Sequence, residues 1–111
     1  MKHPVKLPVM RERDVVKVIL DYCSAEGIFI HRRNVGAMKI DQRYIRFAKR
    51  GSADLWGIYR GRHMECEVKR PGEVPTKEQY DWLNLCAEEG GISIWADSLD
   101  MFIQALKEKS R

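Results

Sequence analysis

Three residues, Asp54, Glu67 and Lys69, have the types and spacing that phosphodiester hydrolysis with a divalent cation requires. Asp54 and Glu67 lie on either side of Arg60-Gly61, a pair typical of a tight hairpin turn. If these two residues form the whole turn, Asp54 lies opposite Glu67 on the neighbouring strand. Because side chains alternate along a strand, Lys69 is then on the same face as Glu67. The pattern predicts one cluster of two acids and a lysine.

Two carboxylates that face each other across a sheet destabilise it unless their charge is neutralised. A hard cation such as Mg²⁺ prefers carboxylate oxygens and keeps several waters, so it leaves room for a phosphate and an attacking water. Lys69 would orient or help deprotonate that water and stabilise charge on the phosphate oxygens. The alternative is three solvated residues on an exposed strand, because an acid-x-Lys triplet also arises by chance.

Glu12 and Gln79 are further candidates for the same site. Glu12 precedes Val15 and Val16 by one helical turn, which directs its carboxylate toward the sheet, although an acid in the first turn of a helix is also favoured by the helix dipole. Gln79 follows Thr76 in a Thr-x-x-Gln capping box, which explains it structurally. The helix that it opens begins soon after Lys69 and could also place Gln79 in the cleft.

The segment 31–50 carries seven Lys or Arg residues against one carboxylate, Asp41, and Tyr44 and Phe47 interleave with them. Residues 1–70 as a whole contribute a net charge of +8 and residues 71–111 contribute −4. A run of one sign beside an acidic site favours contact with phosphates, whereas the alternative is a solvated surface. The predicted nucleic-acid-binding residues are Arg32, Arg33, Asn34, Lys39, Arg43, Arg46, Lys49 and Arg50.

Apolar spacing and turn residues predict helices and strands in the order α-β-β-β-β-α-β-α. Interleaved helices and strands, joined partly by hairpins, indicate an α/β fold in which helices flank one mixed β-sheet. Leu55, Met64, Cys66 and Val68 form its predicted apolar layer. The predicted elements are a helix over Met10–Glu26, strands over Ile28–Val35, Tyr44–Ala48, Leu55–Tyr59 and His63–Lys69, a helix over Thr76–Glu89, a strand over Ile92–Trp95 and a last helix from Leu99.

The composition fits a single domain over residues 1–111, large enough for one core. No apolar run reaches the roughly 20 residues of a membrane span, and the N-terminus lacks the apolar run of a secretory signal. We therefore expect an intracellular protein without membrane contact. The three cysteines form no Cys-x-x-Cys pair, which argues against a zinc or redox motif.

The chain resembles the VRR-NUC domain, the virus-type replication-repair nuclease branch of the PD-(D/E)xK superfamily. The resemblance rests on Glu12, Arg-Arg-Asn-Val-Gly at 32–36, Gly-Ser-Ala-Asp at 51–54, Glu-Val-Lys at 67–69 and the capping box at 76–79. It implies a restriction-endonuclease-like fold. It also implies Mg²⁺ or Mn²⁺ bound by Asp54, Glu67 and the Val68 carbonyl, with Lys69 assisting the nucleophile and Glu12 and Gln79 supporting the site. Many members have Pro where this chain has Ala53, a difference that removes no ligand.

Stand-alone viral and bacterial members of this family resemble dimeric enzymes of DNA replication and repair that cleave junctions. The resemblance therefore implies a homodimer acting on branched DNA, such as a four-way Holliday junction, in the cytoplasm of a bacterium or of a host cell infected by a virus such as a bacteriophage. Three alternatives stay open. They are a nuclease of the same fold acting on flaps, nicks or ends, a non-catalytic nucleic-acid-binding module, and a metal-independent RNA-cleaving domain.

Overall fold

The computed structural model describes residues 9–34, 37–41, 43–46 and 50–111, and at 37–40 and 44–46 it describes the backbone. The described residues form three helices and six strands, with five of the strands lying between the first two helices. The elements are α1 (Glu12–Glu26), β1 (Phe29–Arg32), β2 (Ala37–Ile40), β3 (Arg43–Arg46), β4 (Leu55–Tyr59), β5 (Arg62–Val68), α2 (Lys77–Glu88), β6 (Ile92–Ala96) and α3 (Leu99–Lys109).

The main sheet has four strands in the order β1-β4-β5-β6, antiparallel except for the parallel pair β5 and β6. The parallel pair requires a crossover, and α2 supplies it. The prediction of a mixed sheet flanked by helices is confirmed. One strand was missed, because β2 pairs with β3 in a separate two-stranded sheet across a turn at Asp41, whose positive φ of 47° suits a tight turn.

The β4–β5 hairpin has the predicted register. Arg60 and Gly61 both have positive φ angles, 50° and 79°, as a two-residue type I′ turn requires. Tyr59 therefore pairs with Arg62, and the ladder continues to Leu55 opposite Cys66. Asp54, one residue before Leu55, and Glu67, one residue after Cys66, consequently meet at the end of the hairpin.

The hydrophobic core lies between one face of the main sheet and the helices α1 and α3. Leu55, Met64, Cys66 and Val68 are all fully buried there, so the predicted apolar layer is confirmed. The opposite face carries Glu65 and Glu67 and is covered by α2 over β5 and β6. Ser93 of β6 donates a hydrogen bond to the Leu83 carbonyl of α2 at 2.5 Å, which fixes this second layer.

Local signals set the ends of the helices. Thr76 and Gln79 form the predicted reciprocal capping box at the start of α2, and Ser98 caps α3 through the Met101 amide. Gly27 ends α1 in the left-handed conformation. None of the helices in the part of the chain described here is long and apolar enough to cross a membrane.

Candidate active site

Asp54 and Glu67 form an acidic pair at the end of the β4–β5 hairpin. The Glu67 side chain is 2% exposed, and Asp54 Oδ2 accepts a hydrogen bond from the Val68 amide at 3.0 Å. The Asp54 carboxylate lies near enough to raise the pKa of Glu67, second only to burial as a cause. The structure therefore brings together the two acids that the hairpin register predicted.

Glu67 is held by one of its two oxygens. Its Oε1 accepts a hydrogen bond from Gln79 Nε2 at 2.9 Å, whereas its Oε2 is buried without a hydrogen-bond donor among the residues that the structure describes. Burial and, after it, the Asp54 carboxylate raise the pKa of Glu67 to about 8. A buried carboxylate oxygen without a donor is costly, so this atom requires a proton or a cation.

Lys69 lies beside this pair. Its ammonium Nζ is 3.9 Å from Glu67 Oε1, and its side chain is 12% exposed. Its backbone amide donates to the Ala96 carbonyl at 2.9 Å, so β6 fixes the chain at Lys69 just beyond the end of β5. The ammonium therefore stands at a defined position next to the acidic pair.

Glu12 approaches from the first turn of α1. Partial burial and, after it, the Asp54 carboxylate raise the pKa of Glu12. The two acids therefore interact electrostatically. A cleft of about 210 Å³ lies between α1 and the end of the sheet, and Glu12, Arg32 and Asp54 are among its lining residues. The structure thus brings Glu12 and Gln79 to the acidic pair from α1 and α2.

The residues at this centre fit a hard divalent cation. They offer carboxylate oxygens, one of them unpartnered, and no thiolate or imidazole, a set that suits Mg²⁺ or Mn²⁺ better than zinc. Over the described ranges, no group of three or more His, Cys, Asp or Glu side chains has metal-binding geometry. A cation here would therefore draw its other ligands from backbone carbonyls, water and a phosphate.

A second buried carboxylate, Glu65, was not predicted from the sequence. It is fully buried on the same face of β5 as Glu67, and both of its oxygens are bound by the Arg33 guanidinium, one at 2.8 Å. Trp82 Nε1 donates a hydrogen bond to Glu65 Oε1 at 2.6 Å, and His63 Nε2 lies 2.6 Å from Glu65 Oε2. Its place between the apolar Met64 and Cys66, two residues before Glu67, was the available signal, since a buried acid needs a cationic partner.

Arg33 also holds the segment that carries Asp54. Its backbone amide donates to the Asp54 carbonyl at 2.7 Å, and its Nη1 donates to the Ala53 carbonyl at 3.1 Å. Arg33 therefore ties residues 53 and 54 to β5 through Glu65. The basic segment predicted a nucleic-acid contact for Arg33, whereas the structure places its guanidinium in this ion pair, with its side chain 17% exposed.

The other predicted nucleic-acid contacts are distributed over the end of β1, the β2–β3 hairpin and the loop before β4. Arg32, Asn34 and Arg43 are exposed, and Arg50 is exposed beside Glu78 of α2 in an ion pair at 3.0 Å. The side chains of Lys39 and Arg46, and all of Lys49, lie outside the described residues. The four described residues are accessible to a large ligand.

The fold and the acidic centre together define an α/β protein in which helices flank a mixed four-stranded sheet and two acids meet at the end of one hairpin. Among solved structures, the chain is similar to a protein described as a VRR_NUC domain protein, with a TM-score of 0.64 over 92% of this chain and 89% of that one, at 19% sequence identity. At this identity the likeness shows a shared fold. No protein-family model matches the chain, and no curated protein matches it.

Proposed function

We propose that this chain is a metal-dependent nuclease domain that hydrolyses phosphodiester bonds in DNA. The observation that carries the proposal is the buried Glu67, whose Oε2 lacks a donor while Asp54 and Lys69 stand next to it. The fold shared with the VRR_NUC domain protein supports it. A surface rich in exposed arginines beside this centre suits a polyanionic substrate.

In this proposal Asp54, Glu67 and the Val68 carbonyl hold Mg²⁺ or Mn²⁺. The bound ion would polarise a phosphoryl oxygen and supply an attacking water at neutral pH. Gln79 keeps one Glu67 oxygen occupied and so turns the other toward the ligand position. Lys69 orients the water and stabilises negative charge on the phosphate oxygens as the bond breaks. Glu12 adds a further acid at the edge of the cleft.

The test is cleavage of labelled duplex, flap and four-way DNA in Mg²⁺ or in EDTA. Asp54→Asn and Glu67→Gln should each abolish cleavage and cation binding while the fold is retained. Asp81→Asn is the matched control, because it neutralises an exposed acid of α2 whose partner is Lys77. Full activity in either site variant, or undiminished cleavage in EDTA, would refute the metal centre.

We further propose that the protein is a homodimer that prefers branched DNA. This proposal is supported by the resemblance to stand-alone junction-cleaving enzymes and by the small size of the domain, which offers little surface to grip a junction. A two-fold pair would place two acidic centres on opposite strands of a four-way junction. Following the same resemblance, we propose that the enzyme acts in the bacterial cytoplasm or in a virus-infected host cell.

Sedimentation with and without four-way DNA tests the dimer. We expect a dimer at micromolar concentration and paired cuts in opposite strands. A protein that remains monomeric in both conditions and still makes paired cuts would rule out the symmetric arrangement. Preferential cutting of flaps, nicks or ends over the four-way substrate would instead favour the alternative specificity within the same fold.

A further inference from the structure

Four side chains form a continuous row of rings across β1, β4 and β5. We call Phe29, His31, Trp56 and His63 the aromatic row. The ring centroids of Phe29 lie 4.5 Å from His31 and 5.8 Å from Trp56, and those of Trp56 and His63 lie 6.3 Å apart. The planes of the last pair differ by 13°, so Trp56 and His63 are stacked. Sequence patterns gave no reason to group these residues.

The aromatic row lies on the face of the main sheet that α2 covers only in part. Among the elements that the structure describes, α2 packs on β5 and β6, which leaves the β1 and β4 half of this face without a helix. Phe29 and its cross-strand neighbour Ile58 are accordingly 49% and 48% exposed, and the His63 side chain is 50% exposed. The rings on this half of the face are therefore accessible to a ligand.

The rings are also fixed in place. His63 Nε2 is 2.6 Å from the buried carboxylate of Glu65, which Arg33 and Trp82 hold in turn. Trp56 packs between His31 and His63. A ligand that stacks on these rings therefore loses little side-chain entropy when it binds, because the surface is already ordered.

The position of the aromatic row relates it to the acidic pair. Trp56 is the direct partner of Glu65 in the β4–β5 ladder, so Glu67 is its diagonal neighbour at about 7–8 Å between Cα atoms. The buried acid next to the row, Glu65, is neutralised by Arg33, so it does not repel a phosphate. Arg32, the residue after His31, is exposed on the other face of β1, where it lines the cleft that also contains Asp54.

We propose that the aromatic row is a stacking platform for unpaired nucleobases next to the candidate active site. Aromatic side chains on neighbouring strands of an open sheet are a suitable surface for base stacking, and Arg32 in the cleft with Asp54 suits a phosphate of the same strand. The inference rests on the proposed function and deepens it by naming the substrate class as DNA with unpaired bases beside the scissile bond, such as the melted centre of a junction or a flap.

The experiment measures binding in EDTA, so that neither cleavage nor a cation is needed. The probes are a duplex with a short thymidine tail, the same duplex with an abasic tail, and a blunt duplex with equal phosphates. Wild type should bind the thymidine tail more tightly than the abasic one. Phe29→Leu and Trp56→Leu should each reduce binding of the thymidine tail about 10-fold and leave the abasic tail unaffected, whereas Phe29→Tyr and Trp56→Phe should retain binding.

Leu85→Ala is the matched control, since Leu85 is an equally exposed apolar residue of α2 outside the row. Equal binding of both tails, or full binding by Phe29→Leu and Trp56→Leu, would overturn the platform. So would sedimentation in which these leucine variants dissociate a wild-type dimer, because the face would then be covered by a second copy. Base-dependent binding without any cleavage would refute the nuclease proposal and leave the platform standing.

Discussion

Glu65 and Glu67 are the same residue type on the same face of one strand, and their neighbours shift their pKa values in opposite directions. Burial disfavours the charge on both. At Glu65, hydrogen bonds from Arg33 and Trp82 outweigh burial and hold the pKa below its ordinary value. At Glu67, the Asp54 carboxylate adds to burial and the pKa rises to about 8. One acid is therefore a permanent structural anion, and the other is ready to exchange a proton for a cation.

We predict that the cation-free protein loses stability as pH rises from about 4.5 to about 8. In this window Glu67 is protonated in the folded state and ionised in the unfolded chain, so the folded state binds the extra proton and the free energy of unfolding falls with pH. Glu67→Gln should flatten this dependence. Urea unfolding in EDTA across this range measures it, with Asp81→Asn as a control that keeps the wild-type slope.

Glu67→Gln also distinguishes the effect of a proton at this position from the effect of a bound cation. Mg²⁺ added at pH 8 should raise the unfolding midpoint of the wild type, because a ligand that binds only the folded state stabilises it, and should leave Glu67→Gln unchanged. A wild type that is insensitive to Mg²⁺ would contradict the cation site.

Lys69 is placed for the reaction rather than for ligating a cation, since an ammonium group has no lone pair to donate. Lys69→Ala should therefore retain Mg²⁺ and DNA binding while single-turnover cleavage falls by at least about 100-fold. Lys77→Ala, which removes an exposed lysine of α2, should cleave normally. If calorimetry shows cation affinity lost together with activity, Lys69 has a structural role instead.

At the scale of elements, the position of the loop before β4 depends on contacts with residues outside the loop. These are Arg33, which follows β1, and Glu65 of β5. Arg33 contacts the carbonyls of Ala53 and Asp54, and Glu65 anchors Arg33 to β5. A displacement of this ion pair would move Asp54 relative to Glu67. The spacing of the two carboxylates thus depends on a third strand, which the hairpin pattern does not include.

We predict that Arg33→Met lowers the free energy of unfolding at pH 7 by about 3 kcal/mol, because it leaves the Glu65 carboxylate buried without its cation. The deficit should shrink as pH falls through the pKa of Glu65, since the wild type loses the same ion pair when Glu65 is protonated. Urea unfolding at pH 7 and in acid measures both effects.

Arg50→Met is the control for this experiment. It breaks an ion pair with Glu78 in which both side chains are largely exposed, at 74% and 55%, so its effect should stay below about 1 kcal/mol. The leucine pair Arg33→Leu with Glu65→Leu should recover part of the loss. Equal effects of Arg33→Met and Arg50→Met would contradict the buried ion pair.

At the scale of the whole molecule, charge is distributed unevenly along the chain. The net +8 of residues 1–70 includes exposed arginines around β1, β3 and the loop before β4, whereas residues 71–111 are net acidic. Arg33 is less available to DNA than the other predicted residues, because its guanidinium is paired with Glu65 and its side chain is 17% exposed. The members of that set that the structure describes as exposed cations are Arg32, Arg43 and Arg50.

We predict that Arg32→Glu combined with Arg43→Glu weakens binding to every DNA sequence alike. The slope of log affinity against log salt should fall by about 0.9 for each phosphate that the variant no longer neutralises. Fluorescence anisotropy over a salt series measures this, and Lys107→Glu combined with Arg111→Glu, two exposed positions near the C-terminal end, controls for the same change in net charge. An unchanged slope, or weaker binding to particular sequences alone, would place the DNA elsewhere on the protein.

The sequence by itself determined the local features of this protein. Alternation along β4 and β5, together with Arg60-Gly61, was enough to predict the register that sets Asp54 opposite Glu67, because both properties depend on neighbouring residues. The capping box of α2 and the apolar layer of the sheet were predictable for the same reason. The mixed sheet followed from the order of elements.

Only the tertiary structure decided which charges are paired inside the fold. Arg33 is one of several basic residues in its segment of the sequence, yet it ends in a buried ion pair with Glu65, a residue 32 positions away. The aromatic row likewise depends on β1, which pairs with β4 although β2 and β3 lie between them in the sequence. Burial and long-range pairing set the pKa and the availability of a side chain, and both depend on how separate elements pack.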